Sequence, residues 1–198
     1  MSGLGDSSAQ RRLLQSIVEL SRSVFGARAC SIMSHDASVR ELVFEAVAGE
    51  GAETLVGRRL PATTGLAGWA LASEEPISVA DVRRDPRFAR DVAESTGFVP
   101  SAIIVFPLLA RGQAIGVLSV LDQAASASVG IAEMGVLGTL ADHAATVLQL
   151  VLDARRQPVD ESGDALDALR HAVERAGRSE REALLAIVES LTTLTRDD

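Results

Sequence analysis

Few residues in this chain could do chemistry, and each has a competing structural use. The run Thr63-Thr64-Gly65-Leu66-Ala67-Gly68-Trp69 sets a capping threonine and two glycines at the opening of a helical stretch. Free N–H groups at a helix start carry partial positive charge and suit an anionic or carbonyl group. Glycines there would let a ligand, or equally a packed strand, come close, with Trp69 as plain core in the second case. Asp81 could accept hydrogen bonds from a ligand ring N–H or cap its own turn in Asp81-Val82-Arg83-Arg84-Asp85-Pro86. Arg83, Arg84, Arg87 and Arg90 are interleaved with Asp81, Asp85 and Asp91, the pattern of a solvated face more than of an anion site.

Other chemistries lack their residues. The chain has no Lys, Asn or Tyr, which excludes a lysine phosphate loop and a Schiff base. Cys30 is the single cysteine, so no internal disulfide is available, as suits a reducing compartment. His35, His143 and His171 are scattered over a turn, a helix and the tail and read as surface or packing histidines. Neither metal-ligand spacing, nor a Ser-His-Asp set, nor a paired-carboxylate site is evident. No cofactor and no catalysis are expected.

Of the 198 residues 47% are hydrophobic but only 3% aromatic, so the core must be aliphatic. A net charge of −8 argues against a nucleic-acid partner. The polar, acidic start Met1-Ser2-Gly3-Leu4-Gly5-Asp6 is unlike a secretory leader, and no apolar run approaches the ~20 residues a bilayer requires. A bacterial, cytoplasmic protein without membrane contact is the expectation.

The elements that must position these residues follow from periodicity. After a disordered start over 1–8, Leu13, Leu14, Ile17, Val18, Leu20 and Val24 make a helical stripe that Gly26 stops. Strands are expected over Ala29–Met33, Glu41–Val47, Leu60–Pro61, Pro76–Ala80, Ser101–Leu109 and Gln113–Leu121. A helix over Gly65–Ser73 and another opened by the Asp85-Pro86 pair lie between them. In Ser101–Leu109, Ile103 and Val105 point one way and Ile104, Phe106 and Leu108 the other, so the sheet is covered on both faces. The apolar residues of the 131–155 helix cover over half its circumference. One face would meet the sheet, and Leu140, Val147, Leu148 and Val151 would meet a second copy of the chain. Residues 157–163 read as a linker. The helical tail over 164–196 follows, with 157–198 holding ten acidic residues and five arginines.

The order from Arg58 to Asp122, with its Gly-opened helix, extended segment, Asp-Pro start and hairpin Ser101–Leu121, resembles the GAF domain family over residues 9–156. The resemblance implies an α/β (α+β) fold. A central antiparallel sheet of five to six strands would carry the terminal helices on one face, with short helices and loops over a pocket on the other. It implies a ligand site near Gly65, Trp69, Val79, Asp81, Phe88, Phe98, Ser101 and Ile103. The residue sets of cyclic-nucleotide, bilin and haem binders in that family are missing, and one cysteine cannot run a methionine sulfoxide reductase cycle. The expected function is a non-catalytic sensor that binds a small molecule, forms a homodimer and engages a protein partner through the tail. A ligand-free dimerisation scaffold is the alternative, and a thiol sensor at Cys30 the third reading.

Overall fold

Two-residue alternation in the strand pair Ile103–Leu121 dictates a sheet with two apolar faces, and the computed structural model has that sheet. It describes residues 3–123 and 130–156, with side chains from Ala9 onward. Six antiparallel strands, β1 (Ala29–Asp36), β2 (Glu41–Gly49), β3 (Arg59–Pro61), β4 (Ile77–Val79), β5 (Ile103–Ala110) and β6 (Gln113–Leu121), lie in the order β3-β2-β1-β6-β5-β4. The β5–β6 hairpin turns at Arg111 and Gly112, both at positive φ (52° and 78°) as the tightest hairpin turn requires.

On one face lie the long helices α1 (Gly3–Val24) and α5 (Ile131–Arg156). Leu14 and Val18 of α1 and Leu137, Ala144 and Leu148 of α5 close over Cys30, Ile32, Ile104, Leu108, Leu118 and Val120. The opposite face carries α2 (Ala52–Leu55), α3 (Gly65–Ser73), α4 (Arg90–Ser95) and their loops. There Leu55, Leu66, Ala70 and Leu71 pack on Met33, Phe44, Ile103, Val105 and Val117. Ile103 and Val105 thus face away from Ile104 and Leu108, as the alternation requires.

Several expectations are corrected. Helix α1 begins at Gly3, so residues 3–8 belong to it and not to a disordered start. Asp85 does not open a helix at Pro86; its Oδ1 accepts from the Arg87 amide two residues on, at 2.9 Å. That bond closes an Asx turn and leaves α4 to start at Arg90. Leu148 and Val151 are buried within the chain, at 0% and 5% exposure, because they continue the sheet-facing stripe of Leu137, Ala141 and Ala144. Leu140 and Val147 sit at the margin of that core. By length and composition α5 could cross a bilayer, contrary to the expectation from sequence, and its sheet-facing stripe is the ordinary cause of such apolarity in a core helix. The linker and tail expectations lie outside the described residues.

Strand β2 carries a bulge. Ile32 pairs with Ala46 and Met33 with Phe44, leaving Glu45 without a partner residue on β1. With the extra residue, Glu45 and Ala46 both lie on the helical face, where Glu45 is 7% exposed. Both Glu45 oxygens accept from the Arg155 guanidinium at 2.7 Å, and Ser34 Oγ donates to Oε1 at 2.6 Å. Burial pushes the Glu45 carboxyl up, but Arg155 and Ser34 outweigh it and hold the group below the usual glutamate range.

Candidate functional site

Under α3 and α4 the sheet does not close against its cover. A cavity of about 130 Å³ remains, floored by three rows of strand residues. The middle row is Val47, Ser31 and Ser119, each directly opposite the next across β2, β1 and β6. Met33 and Phe44 flank it on one side, and Ala29, Leu121 and Ile103 on the other. Two serine residues therefore sit in the middle row of an otherwise apolar floor.

The roof comes from the opening of α3 (Thr64 to Ala67), the loop residues Phe88, Phe98 and Pro100, and Val92, Ala93 and Thr96 in and just beyond α4. Helix α4 buries none of its own residues and is tied down by its end: Arg58 donates to the Ser95 carbonyl at 2.8 Å and to its Oγ at 2.9 Å. Arg28 donates to Glu50 at 3.0 Å and lies 4.7 Å over the Phe98 ring. That ion pair covers the edge where Glu50 and Phe98 reach the cavity.

Polarity within the site is sparse. Ser119 is 3% exposed, and its buried Oγ has no hydrogen-bond partner among the described residues. Ser31, 5% exposed, stands across from it. The N-cap of α3, Thr64, makes no side-chain cap bond. Among the described residues no Arg, Lys or His lines the cavity, and Glu50 is the single charged one that does.

Of the eight residues expected at a ligand site, Gly65, Phe88, Phe98 and Ile103 line the cavity; Trp69, Val79, Asp81 and Ser101 do not. Trp69 packs beside it with the Arg87 guanidinium 4.7 Å over its ring. Val79 belongs to edge strand β4. Asp81 caps its own turn, accepting from the Arg83 amide at 3.2 Å and the Arg83 Nε at 2.8 Å. The Arg83 hydrogen bond is the main reason its carboxyl stays below the usual range. Ser101 uses its amide to bind Asp122 Oδ1 at 2.6 Å, at the rim of the sheet. Gly68 serves packing: a Cβ there would meet the Thr63 carbonyl carbon at 2.5 Å. Phe106 is on the helical face, so neither it nor Trp69 fills the cavity.

Sequence reasoning missed Ser31 and Ser119. A hydroxyl at an alternate position in an apolar strand, as in Val117-Leu118-Ser119-Val120-Leu121, was the available signal. Cys30 lies among the helical-face core residues at 0% exposure. Burial pushes its thiol up to about 12, an effect the neighbouring Ser21 hydroxyl only partly offsets.

Comparison with known proteins agrees with this architecture. The family model for the GAF domain matches residues 11–148. The GAF domain of a phosphoenolpyruvate-protein phosphotransferase from Coxiella burnetii is 25% identical with a TM-score of 0.67, over 75% of this chain and 87% of that one. The second GAF domain of DevS from Mycobacterium smegmatis is 19% identical with a TM-score of 0.57, over 74% of this chain and 98% of that one. A type II free methionine-R-sulfoxide reductase from Thermoplasma acidophilum is 16% identical with a TM-score of 0.59, over 74% and 96%. The last two show the fold alone. A curated relative, a probable 3',5'-cyclic phosphodiesterase of Caenorhabditis elegans, is 31% identical over 65 residues, which is 33% of this chain and 9% of that protein. With the family model spanning well over half of its length and that fold recurring among its structural neighbours, the chain belongs to the GAF domain family, a sensory and regulatory ligand-binding fold.

Proposed function

We propose that this GAF domain binds a small molecule in the cavity beneath α3 and α4 without transforming it, and that binding alters contacts made by its long helices. The observation that carries the reading is the cavity itself: about 130 Å³ and lined mostly by apolar residues. A filled interior would have favoured a scaffold. Instead Phe88 and Phe98 line the space without occupying it. Binding without catalysis agrees with a thiol that faces the helical core and stays protonated near neutral pH.

The same reading includes a homodimer. Leu13, Leu20 and Val24 on α1 and Val136 and Leu150 on α5 are each about half exposed, between 47% and 55%. With Ile17, Leu140 and Val147 they fall at heptad-like spacing on the outer sides of the two helices, the pattern of a helix-to-helix seam. The acidic tail after Arg156 is the segment proposed to engage a protein partner in the cytoplasm.

Native mass spectrometry of gently purified protein, followed by denaturing release, tests both parts. A dimer carrying a releasable small molecule is expected. An Ala93→Phe variant, which extends a ring into the cavity, should form the same dimer without the adduct. Wild type that stays empty against a metabolite library would return the weight to a ligand-free scaffold.

A further inference from the structure

We infer that α4, in the cavity roof, is coupled to the last turn of α5 on the far face of the sheet by a chain of contacts through Arg58, Phe44, Glu45 and Arg155. The inference rests on the ligand-binding reading above for its use, and it names the route by which a ligand under α4 would reach a long helix.

Both ends of the chain bury little of themselves. Helix α4 buries none of its own residues, and beyond Val151 no described residue of α5 is buried. Elements with so little buried surface open locally at a cost well below that of unfolding the domain. Each is held by an arginine instead. Arg58 donates to the Ser95 carbonyl at 2.8 Å and to the Ser95 hydroxyl at 2.9 Å, and Arg155 donates to both Glu45 oxygens at 2.7 Å. A further tie at the end of α5, Arg111 to Asp153 at 3.8 Å, is longer and more exposed.

The two arginines are joined through β2. Phe44 donates its amide to the Arg58 carbonyl at 3.0 Å and accepts from the Gly57 amide at 2.8 Å, so the turn that carries Arg58 holds both backbone groups of Phe44. Glu45 is the next residue, and the bulge leaves it without a partner residue on β1. A bulged residue lacks the pairing that would fix it against its neighbour strand. A shift at Phe44 therefore passes to the Glu45 carboxylate and to the guanidinium bound across its two oxygens. Phe44 lines the cavity, as do Val92 and Ala93 of α4. A ligand that touches both elements enters the chain at two points.

Hydrogen exchange read by mass spectrometry on the full chain tests the coupling without a ligand. Arg58→Met should speed exchange over 90–97 about tenfold, because the hydrogen bonds it loses are charge-assisted. It should also speed exchange over 152–156 at least ~5-fold, the lower end of ordinary coupling between sites, while 137–148 keeps its wild-type rate. Arg155→Met should speed exchange over 90–97 by a similar factor, because coupling is reciprocal. In Glu45→Gln, which lacks the charge that holds Arg155, adding Arg58→Met should bring no further change over 152–156. Arg28→Met is the control. It releases Glu50 and Phe98 at another edge of the roof, so exchange should rise near Phe98 and not over 152–156.

Arg58→Met that leaves 152–156 at its wild-type rate overturns the coupling. So does Arg28→Met speeding that segment equally, or 137–148 speeding along with it, since either marks general loosening. The native spectrum tests the ligand separately: protein that stays empty removes the ligand-binding reading and leaves the coupling standing.

Discussion

Replacing Arg155 by methionine should destabilise the domain more than any change to its partner Glu45. The asymmetry comes from exposure. Glu45 is 7% exposed, whereas half of the Arg155 side-chain surface is open to water. Removing Arg155 leaves a carboxylate in the core with the Ser34 hydroxyl as a donor and Arg11 of α1 as a cation that acts on it more weakly. Breaking a buried pair in this way costs about 3–5 kcal/mol. Water reaching the arginine side places Arg155→Met near the lower end, about 3 kcal/mol. Glu45→Gln keeps the volume and can still accept from Ser34, and the freed guanidinium rehydrates, so about 1 kcal/mol is expected. The double variant should be more stable than Arg155→Met alone, with a coupling of about 2 kcal/mol in the cycle.

Urea unfolding of the four proteins at pH 7.5 and pH 5 reads all of this, and the Tm of Arg155→Met should drop by about 6–12 °C at neutral pH. The pH dependence carries the sign. In wild type the folded-state pKa of Glu45 is depressed, so its contribution is complete above the unfolded value near 4.5 and is lost as pH falls through the lower folded value. In Arg155→Met burial acts with far less to oppose it and the folded-state pKa rises. The penalty is then full at high pH and fades as pH falls through that raised value, so the gap to wild type narrows between pH 7.5 and 5. An Arg155→Met variant within 1 kcal/mol of wild type, or a gap that does not narrow, refutes the argument that Glu45 is a charged, arginine-dependent core residue.

Other perturbations follow from the same geometry. Gly68→Ala should cost about 2 kcal/mol or more in urea melts, because its Cβ would stand 2.6 Å from the Ala62 carbonyl oxygen, a backbone atom that cannot swing away. Gly135→Ala, on α5 with nothing within 4 Å of the new Cβ, should instead add about 0.5–1 kcal/mol from helix propensity. Iodoacetamide at pH 8 should label Cys30 in urea and leave the native protein unlabelled by intact mass, since the thiol is fully buried and raised to about 12; labelling at the rate of a free thiol would reopen the redox reading. Leu20→Glu together with Leu150→Glu should shift the protein to monomer in sedimentation velocity with little change in Tm, since both side chains are about half exposed at 52%.

Local periodicity made much of this fold legible. Ile103 and Val105 part from Ile104 and Leu108 because a strand alternates whatever its neighbours do, and Arg111-Gly112 closes its hairpin through its own backbone. What escaped depends on register or on rival local bonds. Asp85 before proline reads identically as a helix cap or an Asx turn, and only the amide it meets decides between them. Ser31 and Ser119 come to share the cavity floor because β1 and β6 pair in one register; a slip of one strand by one residue would send its serine into the helical core. Glu45 shows the limit most sharply. Alternation counted back from Val47 puts it in the cavity, alternation counted on from Phe44 puts it on the helical face, and both of those residues line the cavity. The bulge lets Glu45 and Ala46 share the helical face, where Arg155 meets the carboxylate at the last turn of α5. That change of phase keeps both Phe44 and Val47 on the cavity floor and the carboxylate off it, a choice between two equally regular readings that only the pairing with β1 decides.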